Sequence, residues 1–280
     1  MACNEGWQVA GRRKGAARRG KQVLNPKLDS QQDSDCKIDQ QKIIHGMNEL
    51  RGETFWMEWK DLLCERLLSS TSEQSEDASL LQCVCYGLGH FESCVSARFQ
   101  LAMLLLLLET LQIPVSSCCV YDPVFSPSEC DALKELGFTV LTENEEGKRA
   151  VYQPTLFYLM HCGKALYNNL LWRNWTPRTL QKMTIIGNSF NGIQERMLQR
   201  ELERDYSFLS RVSLPSNMIG VCEETPLSCS SRFLDVFNDT ALIQFPLENL
   251  NKLPECTWTE PSEPLYQHCQ DLEIIQREKD

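Results

Sequence analysis

The clearest limit on the fold comes from five short apolar segments that each end in small or polar residues. They cover residues 80–86, 118–121, 155–160, 183–186 and 233–237, and a stretch with helical character follows each of the first four. Such segments are typical of parallel strands that are buried on both faces. The pattern predicts an α/β fold, a Rossmann-like three-layer structure with a mostly parallel sheet and helices on both faces.

The alternation of apolar segments and helical stretches predicts an order of elements. We expect strands at residues 80–86, 117–121, 138–141, 155–160 and 183–187, with residues 233–237 and 241–245 as later candidates. We expect helices at 93–112, 127–136, 164–173 and 176–182, one or two more across 191–211, and a short closing helix near 271–277. An acidic turn covers residues 143–147, and residues 212–231 are predicted to be a loop or insertion.

Composition divides the chain into three parts. Residues 1–37 contain eight Lys or Arg and four Asp or Glu, few apolar residues, and are predicted to be a disordered basic tail. Residues 38–68 carry an apolar stripe that includes Phe55, Trp56 and Trp59, which predicts an amphipathic helix, and residues 69–79 form a Ser- and Glu-rich linker. Residues 80–280 are predicted to be the main domain, with a polar extension from residue 247.

Charge and apolar content argue against two classes of partner. The net charge is -10, and since the tail carries about +4, the remainder carries about -14, which disfavours nucleic-acid binding by the folded domain. The most apolar stretch, residues 101–108, has eight residues, whereas a membrane span needs about 20. We expect no membrane association and read this stretch as the central buried helix.

The cellular location follows from the N-terminal residues and the cysteines. The first twenty residues contain no apolar segment of the kind found in a secretory signal. The 14 cysteines include no C-x-x-C pair, and we expect reduced thiols in the cytoplasm. The basic runs at 12–14 and 18–21 are either a nuclear import signal, an RNA-contacting arm or a solvated tail, so a nuclear location is also open.

Small and polar residues collect where the predicted strands end, and parallel sheets bind ligands outside the carboxyl ends of their strands. The candidate ligand-binding residues are Gly87, Gly89, Asp122, His161, Cys162, Gly163, Asn188 and Ser189. No catalytic residue and no metal ligand is assigned. The sequence does not specify a cofactor.

The residues after the first two strands admit two interpretations each. Gly87 and Gly89 either bring the backbone close to a dinucleotide or adenosyl cofactor or form a tight turn, and the third glycine of the dinucleotide fingerprint is replaced by Glu92. Asp122 either accepts hydrogen bonds from ribose hydroxyls or is a turn residue before Pro123.

His161 and Cys162 combine two reactive side chains at one strand end. Adjacent residues of a strand point to opposite faces, so the two are not expected to form a catalytic dyad. Four histidines without paired cysteines provide no standard zinc ligand set. Either residue is a possible axial ligand of haem iron, although the chain has no Cys-Pro dipeptide. Asn188 and Ser189 either line the same crevice or are ordinary turn residues.

At these motifs the chain resembles the sensitivity-to-red-light-reduced domain family, most closely its animal members. The resemblance covers about residues 80–280 and is carried by CYGLGHFESCVSARFQLAMLLLLLETL at 85–111, CCVYDPVF at 118–125, LTENEEGKR at 141–149, FYLMHCGKALYNNLLWRNW at 157–175, IIGNSF at 185–190, DVFNDT at 235–240 and DLEII at 271–275.

The resemblance implies a regulatory role in the circadian clock and, for animals and yeast, in haem biosynthesis. It implies no enzymatic reaction, no cofactor and no catalytic residue. We therefore expect a non-catalytic regulator that acts through protein partners or through a small nucleotide-like ligand or haem. The alternatives are an enzyme that binds an adenosyl or nicotinamide cofactor through Gly87, Gly89 and Asp122, and a haem-responsive protein that uses His161 or Cys162.

Overall fold

The structure is a computed structural model that describes residues 40–68, 81–212, 220–259, 262–267, 269, 272, 274 and 275. The predicted basic tail, the linker at 69–79, part of the loop at 212–231 and most of the closing helix at 271–277 lie outside these residues. No described helix combines the length and the apolar character that crossing a bilayer requires.

Seven strands form one mixed sheet in the order β3-β2-β1-β4-β5-β7-β6. The strands are β1 Gln82–Tyr86, β2 Cys118–Tyr121, β3 Thr139–Val140, β4 Thr155–Leu159, β5 Met183–Asn188, β6 Glu223–Leu227 and β7 Thr240–Gln244. The first five pair in parallel, whereas β7 runs antiparallel to both of its neighbours. The prediction of a mostly parallel sheet is confirmed.

Helices cover both faces of the sheet, as predicted. The helices are α1 Gln40–Arg51, α2 Thr54–Leu63, α3 Val95–Thr110, α4 Pro127–Glu135, α5 Lys164–Arg173, α6 Pro177–Leu180, α7 Phe190–Arg196, α8 Gln199–Asp205, α9 Ser207–Val212, α10 Leu234–Phe237 and α11 Leu247–Leu250. Alternate residues of β1 enter two separate apolar clusters, Cys83 and Cys85 on one face and Val84 and Tyr86 on the other. Helices α1–α4 and α10 build the first cluster, and α5–α9 and α11 build the second.

Helix α3 is the central buried helix that the apolar stretch at 101–108 predicts. It is apolar around most of its circumference, because the sheet covers one side and α1 covers another. Gly46 of α1 permits this close contact, since a Cβ atom there would lie 3.3 Å from the Cβ atom of Ala102. The eight-residue stretch is therefore explained by burial between two layers.

The described part of the 38–68 segment, residues 40–68, forms two helices instead of the single amphipathic helix that we predicted. The first ends at Arg51, Gly52 and Glu53 follow, and the second begins at Thr54. A π-helical turn, Cys64–Leu68, continues the second helix. Because the chain breaks at Gly52, the aromatic residues of α2 pack against α10 while α1 packs against α3.

Residues 233–237 are not a strand. A 3₁₀ turn, Ser231–Phe233, leads directly into α10. Phe233, Val236 and Phe237 lie at i, i+3 and i+4 and are buried, whereas Leu234 is 50% exposed. This is helical spacing, and it places both phenylalanines against Phe55 of α2.

The region after β5 differs from the prediction in two further respects. Three short helices, α7, α8 and α9, occupy the range in which we expected one or two. The predicted loop at 212–231 contains β6, whose Glu223, Glu224 and Pro226 make it unlike an ordinary strand. Pro226 is tolerated because β6 is an edge strand, where a missing N–H costs no interior hydrogen bond.

Candidate functional site

A cavity of about 320 Å³ lies at the carboxyl ends of β1, β2 and β4. Strands β2 and β4 lie on opposite sides of β1, so the chain changes direction across the sheet at this point, which is where open α/β sheets bind ligands. We call this space the switch-point cavity. The described residues that line it are Tyr86, Gly87, Tyr121, Asp122, Pro123, Asn144, Glu145, Glu146, Gly147, His161, Cys162, Gly163, Leu166, Leu272, Ile274 and Ile275.

The turn after β1 requires glycine. Gly87 and Gly89 have φ angles of 68° and 76°, which residues with a Cβ atom rarely adopt. A Cβ atom at Gly87 would also lie 2.6 Å from the Sγ atom of Cys162. Gly87 thus brings the β1 turn against the turn after β4. Both predicted interpretations, a tight turn and a close approach of the backbone to a ligand, are compatible with this geometry.

Asp122 holds this turn in place. Its Oδ2 accepts a hydrogen bond of 2.7 Å from the backbone N–H of Gly89, and its Oδ1 accepts one of 3.0 Å from the N–H of Val124. The second bond is the local turn contact that one of the two interpretations predicted. The carboxylate also lines the switch-point cavity, and each oxygen keeps a further lone pair for a ligand hydroxyl.

His161 and Cys162 lie side by side but point to different partners. The Cys162 thiol is buried and donates to the carbonyl oxygen of Tyr86 at 3.2 Å. The imidazole Nε2 of His161 lies 2.9 Å from the carbonyl oxygen of Val236. His161 and Cys162 therefore form no Cys–His dyad with each other. The reason differs from the predicted strand alternation, because both lie beyond β4 and His161 is a turn residue with a φ of 54°.

The Cys162 thiol is unsuited to nucleophilic chemistry or to binding as a thiolate. Burial raises its pKa strongly, and the nearby negative charge of Asp122 raises it further. Since the thiolate is the reactive form of cysteine, the protonated thiol at neutral pH is a packing group. Its contact with Gly87 supports the same conclusion.

The remaining predicted residues occupy the rim around β4 and β5. Gly163 precedes α5 as its N-cap residue and lines the switch-point cavity. A second, polar cavity of about 470 Å³ is lined by His161, Cys162, Gly163, Lys164, Asn188, Ile193, Arg196 and Met197. Asn188 is held there by Tyr167, whose hydroxyl accepts from the Asn188 N–H at 2.8 Å.

Ser189 has a structural role in this arrangement. Its hydroxyl accepts from the N–H of Gly192 at 2.8 Å and donates to Glu224 at 2.5 Å, which caps the start of α7. It lines neither cavity. The switch-point cavity thus contains five of the predicted residues, Gly87, Asp122, His161, Cys162 and Gly163, while Gly89, Asn188 and Ser189 lie beside it.

The loop after β3 supplies part of the wall that we did not predict. Glu145 accepts a hydrogen bond from the Tyr86 hydroxyl and forms a salt bridge of 3.0 Å with Arg149. Glu146 forms a salt bridge of 2.5 Å with Lys148. We noted the acidic turn at 143–147 in the sequence, but nothing local indicated that it folds over the end of β1.

Two buried asparagines, Asn169 of α5 and Asn174 at its C-cap, hold this loop. The Asn169 amide donates to the carbonyl oxygen of Glu146 at 2.8 Å. The Asn174 amide donates to the carbonyl oxygen of Arg149 at 2.8 Å, and its oxygen accepts from the N–H of Val151 at 2.8 Å. Both side chains are 1% exposed, so the position of the loop depends on satisfied buried polar groups.

The C-terminal segment supplies the rest of the unpredicted wall. Leu272, Ile274 and Ile275 line the switch-point cavity, and the Asn144 amide donates to the carbonyl oxygen of Ile275 at 2.6 Å. The Tyr266 hydroxyl donates to Asn169 at 2.6 Å, which joins the segment to α5. These contacts link residues about a hundred positions apart, and no local pattern marks them.

A second network connects the β1 turn to α4. The buried carboxylate of Glu129 accepts from the N–H of Glu92 at 3.0 Å and from that of Ser126 at 2.9 Å, and it lies 3.0 Å from Nδ1 of His90. Burial alone would raise the pKa of Glu129, but these hydrogen bonds outweigh it and the pKa is lowered. Glu129 thereby holds the segment that follows Gly89.

Within the described residues, no group of three or more His, Cys, Asp or Glu side chains is arranged to hold a metal ion. The cysteines of this part of the chain are free thiols, and Cys83, Cys85, Cys118 and Cys162 are buried. The groups that line the switch-point cavity are mainly backbone turns, carboxylates and apolar side chains.

Comparisons with known proteins agree with the motifs of the sequence. A family model described as the SRR1 domain matches residues 59–244. An SRR1-like protein of Mus musculus is 56% identical over 149 residues, which are 52% of this chain and 60% of the mouse protein. The protein SENSITIVITY TO RED LIGHT REDUCED 1 of Arabidopsis thaliana is 41% identical over 117 residues, 42% of each chain.

An SRR1-like protein of Drosophila melanogaster is 33% identical over 177 residues, which are 63% of this chain and 59% of the fly protein. The chain thus spans about 40 to 60% of the length of the curated relatives that it matches. The family model covers well over half of the chain and includes every strand of the sheet. On this basis the chain belongs to the SRR1 domain family.

Proposed function

We propose that the chain is a non-catalytic regulatory protein of the red-light and circadian-clock response that binds a small ligand in the switch-point cavity and passes the signal to protein partners. The name of the Arabidopsis relative refers to sensitivity to red light. The resemblance to the family adds regulation of haem biosynthesis to the proposal. Cytoplasmic and nuclear residence is part of the same proposal.

The observation that carries the proposal is the position of the cavity. It lies at the carboxyl ends of parallel strands where the strand order changes direction. It is lined by the sharp turn at Gly87, by the N-cap residue Gly163 of α5 and by the carboxylate of Asp122. Its volume, about 320 Å³, is within the range of small-molecule sites. These features favour a compact organic ligand.

A regulatory role fits the chemistry of the wall better than a catalytic one. The Cys162 thiol is protonated and packed, and the Asp122 carboxylate is engaged by two backbone N–H groups. A haem-responsive role has less support, because an iron ligand would need either the buried Cys162 thiol or the His161 ring, whose Nε2 lies 2.9 Å from the carbonyl oxygen of Val236.

Thermal denaturation of the purified protein with candidate ligands tests ligand binding. A ligand present at 100 times its Kd stabilises the folded state by about 2.7 kcal/mol, so a rise in Tm of about 5 °C or more is expected. The screen comprises adenosine nucleotides, S-adenosylmethionine, nicotinamide dinucleotides and haemin. If none of them raises Tm, the ligand part of the proposal is wrong.

Gly163 offers a matched pair of variants for this experiment. Its φ of -67° suits any residue, and it lines the cavity as the N-cap of α5. Gly163→Leu is expected to fill the cavity and abolish the Tm shift, whereas Gly163→Ser is expected to keep the shift and cap the helix. Equal shifts in both variants would mean that the ligand binds elsewhere.

The regulatory part requires a cellular test. In cells whose own copy is deleted, the wild-type chain and Gly163→Ser are expected to restore the period of a clock-gene reporter and the haem content, and Gly163→Leu is not. Fluorescence microscopy of the tagged chain is expected to show it in both cytoplasm and nucleus. Full rescue by Gly163→Leu would mean that the regulatory role does not depend on ligand binding in the cavity.

A further inference from the structure

The charges around the switch-point cavity limit the chemistry of its ligand. Asp122, Glu145 and Glu146 all line it, and among the described lining residues there is no Lys or Arg. A phosphate group in this space would face three carboxylates. Parallel sheets that bind phosphorylated nucleotides usually surround the phosphates with N–H donors and basic groups. Here the start of α5 at Gly163 supplies N–H donors, but the described wall pairs them with carboxylates instead of basic side chains.

Two basic side chains of the described residues pair with carboxylates beside the cavity. Arg149 forms its salt bridge with Glu145, at 3.0 Å. Lys148 lies 2.5 Å from Glu146 and 2.7 Å from Glu263. Together with Asp122, these described side chains comprise four carboxylates and two cations, so the named group carries two more negative than positive charges.

The backbone donors of the β1 turn are also engaged. The N–H of Gly89 donates to Asp122, and the N–H of Gly87 donates to the carbonyl oxygen of Tyr121 at 3.3 Å. In a dinucleotide-binding turn such N–H groups face the pyrophosphate. Here a carboxylate occupies the position from which an anion would be bound, so the turn favours a ligand without phosphate.

The other walls suit the base and sugar of a nucleoside. Leu166, Leu272 and Ile274 form an apolar side of the cavity, on which a flat aromatic ring can pack. The Asp122 carboxylate is at the end of β2, where an acidic residue can accept hydrogen bonds from ribose hydroxyls. A volume of about 320 Å³ is at the low end for ligand sites, which fits one nucleoside and disfavours a dinucleotide.

We infer that the switch-point cavity binds a phosphate-free nucleoside that is neutral or positively charged, with a sulfonium nucleoside as the class that best matches its excess negative charge. The inference rests on the proposed function, because it assigns the ligand of the same cavity. It predicts an order of affinity that follows the charge of the ligand. S-adenosylmethionine should bind most tightly, then S-adenosylhomocysteine and adenosine, and ADP and NAD⁺ least tightly.

Isothermal titration of the full chain with these five compounds tests the order. S-adenosylmethionine is expected to bind at least about tenfold more tightly than ADP, since one unit charge beside a partly buried charge is worth that much or more. Added salt is expected to weaken the binding of S-adenosylmethionine and to strengthen the binding of ADP, because screening reduces both the attraction and the repulsion by the carboxylates. The salt experiment needs no variant.

A charge-removing variant sharpens the test. Glu145→Gln removes one carboxylate from the wall and leaves the charge of Arg149 without its counter-charge. It is expected to lower the affinity for S-adenosylmethionine about tenfold and to raise the affinity for ADP by a similar factor. Glu248→Gln makes the same change at an exposed position of α11 outside the cavity and is expected to alter neither affinity.

The outcomes separate this inference from the broader proposal. Tighter binding of ADP or NAD⁺ than of S-adenosylmethionine, blocked by Gly163→Leu, would overturn the charge argument and leave the ligand site standing. Binding of haemin alone would also overturn it. If no compound binds, the inference and the ligand part of the proposed function are both wrong.

Discussion

The two faces of the sheet are stabilised by different means. On the face of α3, the contacts are mainly apolar, and the rings of Phe55, Trp59 and Phe237 make edge or tilted contacts with centroid distances of 5.6 to 5.9 Å. On the face of α5, three buried asparagines, Asn168, Asn169 and Asn174, bind backbone groups of other segments. One layer is therefore held by burial, and the other by directed hydrogen bonds as well.

The difference follows from what each face must hold. Regular helices cover the α3 face, and their backbone groups are satisfied internally. The α5 face is covered partly by irregular segments, the loop after β3 and the C-terminal segment, and by the first turn of α9, whose N–H groups have no partner within the helix. Such segments need partners for their backbone groups, and two of them, the loop after β3 and the C-terminal segment, also line the switch-point cavity.

The largest effect is expected from the aromatic contacts of the α3 face. Phe237→Ala removes a fully buried ring and should lower the free energy of unfolding by about 3 to 5 kcal/mol. Leu234→Ala, in the same helix but half exposed, should change it by less than about 1 kcal/mol. Urea unfolding measures both, and similar losses would mean that burial does not dominate on this face.

A smaller loss is expected from the amide network of the α5 face. Asn174→Ala leaves the N–H of Val151 and the carbonyl oxygen of Arg149 without their partner and should cost about 2 to 3 kcal/mol. It should also weaken ligand binding in the switch-point cavity, because the loop after β3 loses the hydrogen bonds that hold it in place. Asn249→Ala removes an exposed hydrogen bond to Glu223 and should cost less than about 0.5 kcal/mol.

The smallest and most condition-dependent effect is expected at Glu129, a buried carboxylate on the apolar face. Its pKa is lowered in the folded state, so its ionised form stabilises the protein above the ordinary value of 4.5, and this contribution is lost as the pH falls below it. Glu129→Gln should be about 1 to 2 kcal/mol less stable at pH 7.

The difference between Glu129→Gln and wild type should shrink as the pH falls below 4.5, which unfolding curves at a series of pH values will show. Glu248→Gln, which changes an exposed carboxylate, is the control and should show no comparable pH-dependent difference. If the difference in the free energy of unfolding between wild type and Glu129→Gln stays constant down to pH 3, the stabilising role of ionised Glu129 is contradicted.

Burial patterns predicted the central sheet because doubly buried parallel strands are continuous apolar segments. They failed where tertiary position overrode the local pattern. Strand β6 contains two glutamates and Pro226, which only an edge position explains. The 233–237 segment has enough apolar residues for a strand. The i, i+3, i+4 spacing of its buried residues, however, correctly indicates the helix that the structure contains there.

The candidate site was predictable as far as strand ends define it. Gly87, Asp122 and Cys162 meet because the strands that carry them are neighbours, and neighbouring parallel strands end at one edge. The rest of the wall was not predictable from local patterns. Asn144 reaches a carbonyl oxygen 131 residues further along the chain, and such a contact exists only in the folded protein.

The edge strands of the sheet bear on how the protein behaves at high concentration. At one end β3 has two residues, and at the other β6 presents Glu223 and a proline. Short, charged or proline-bearing edges are the means by which proteins prevent intermolecular strand pairing. The fold therefore carries its own protection against fibrous aggregation, although its interior strands are almost wholly apolar.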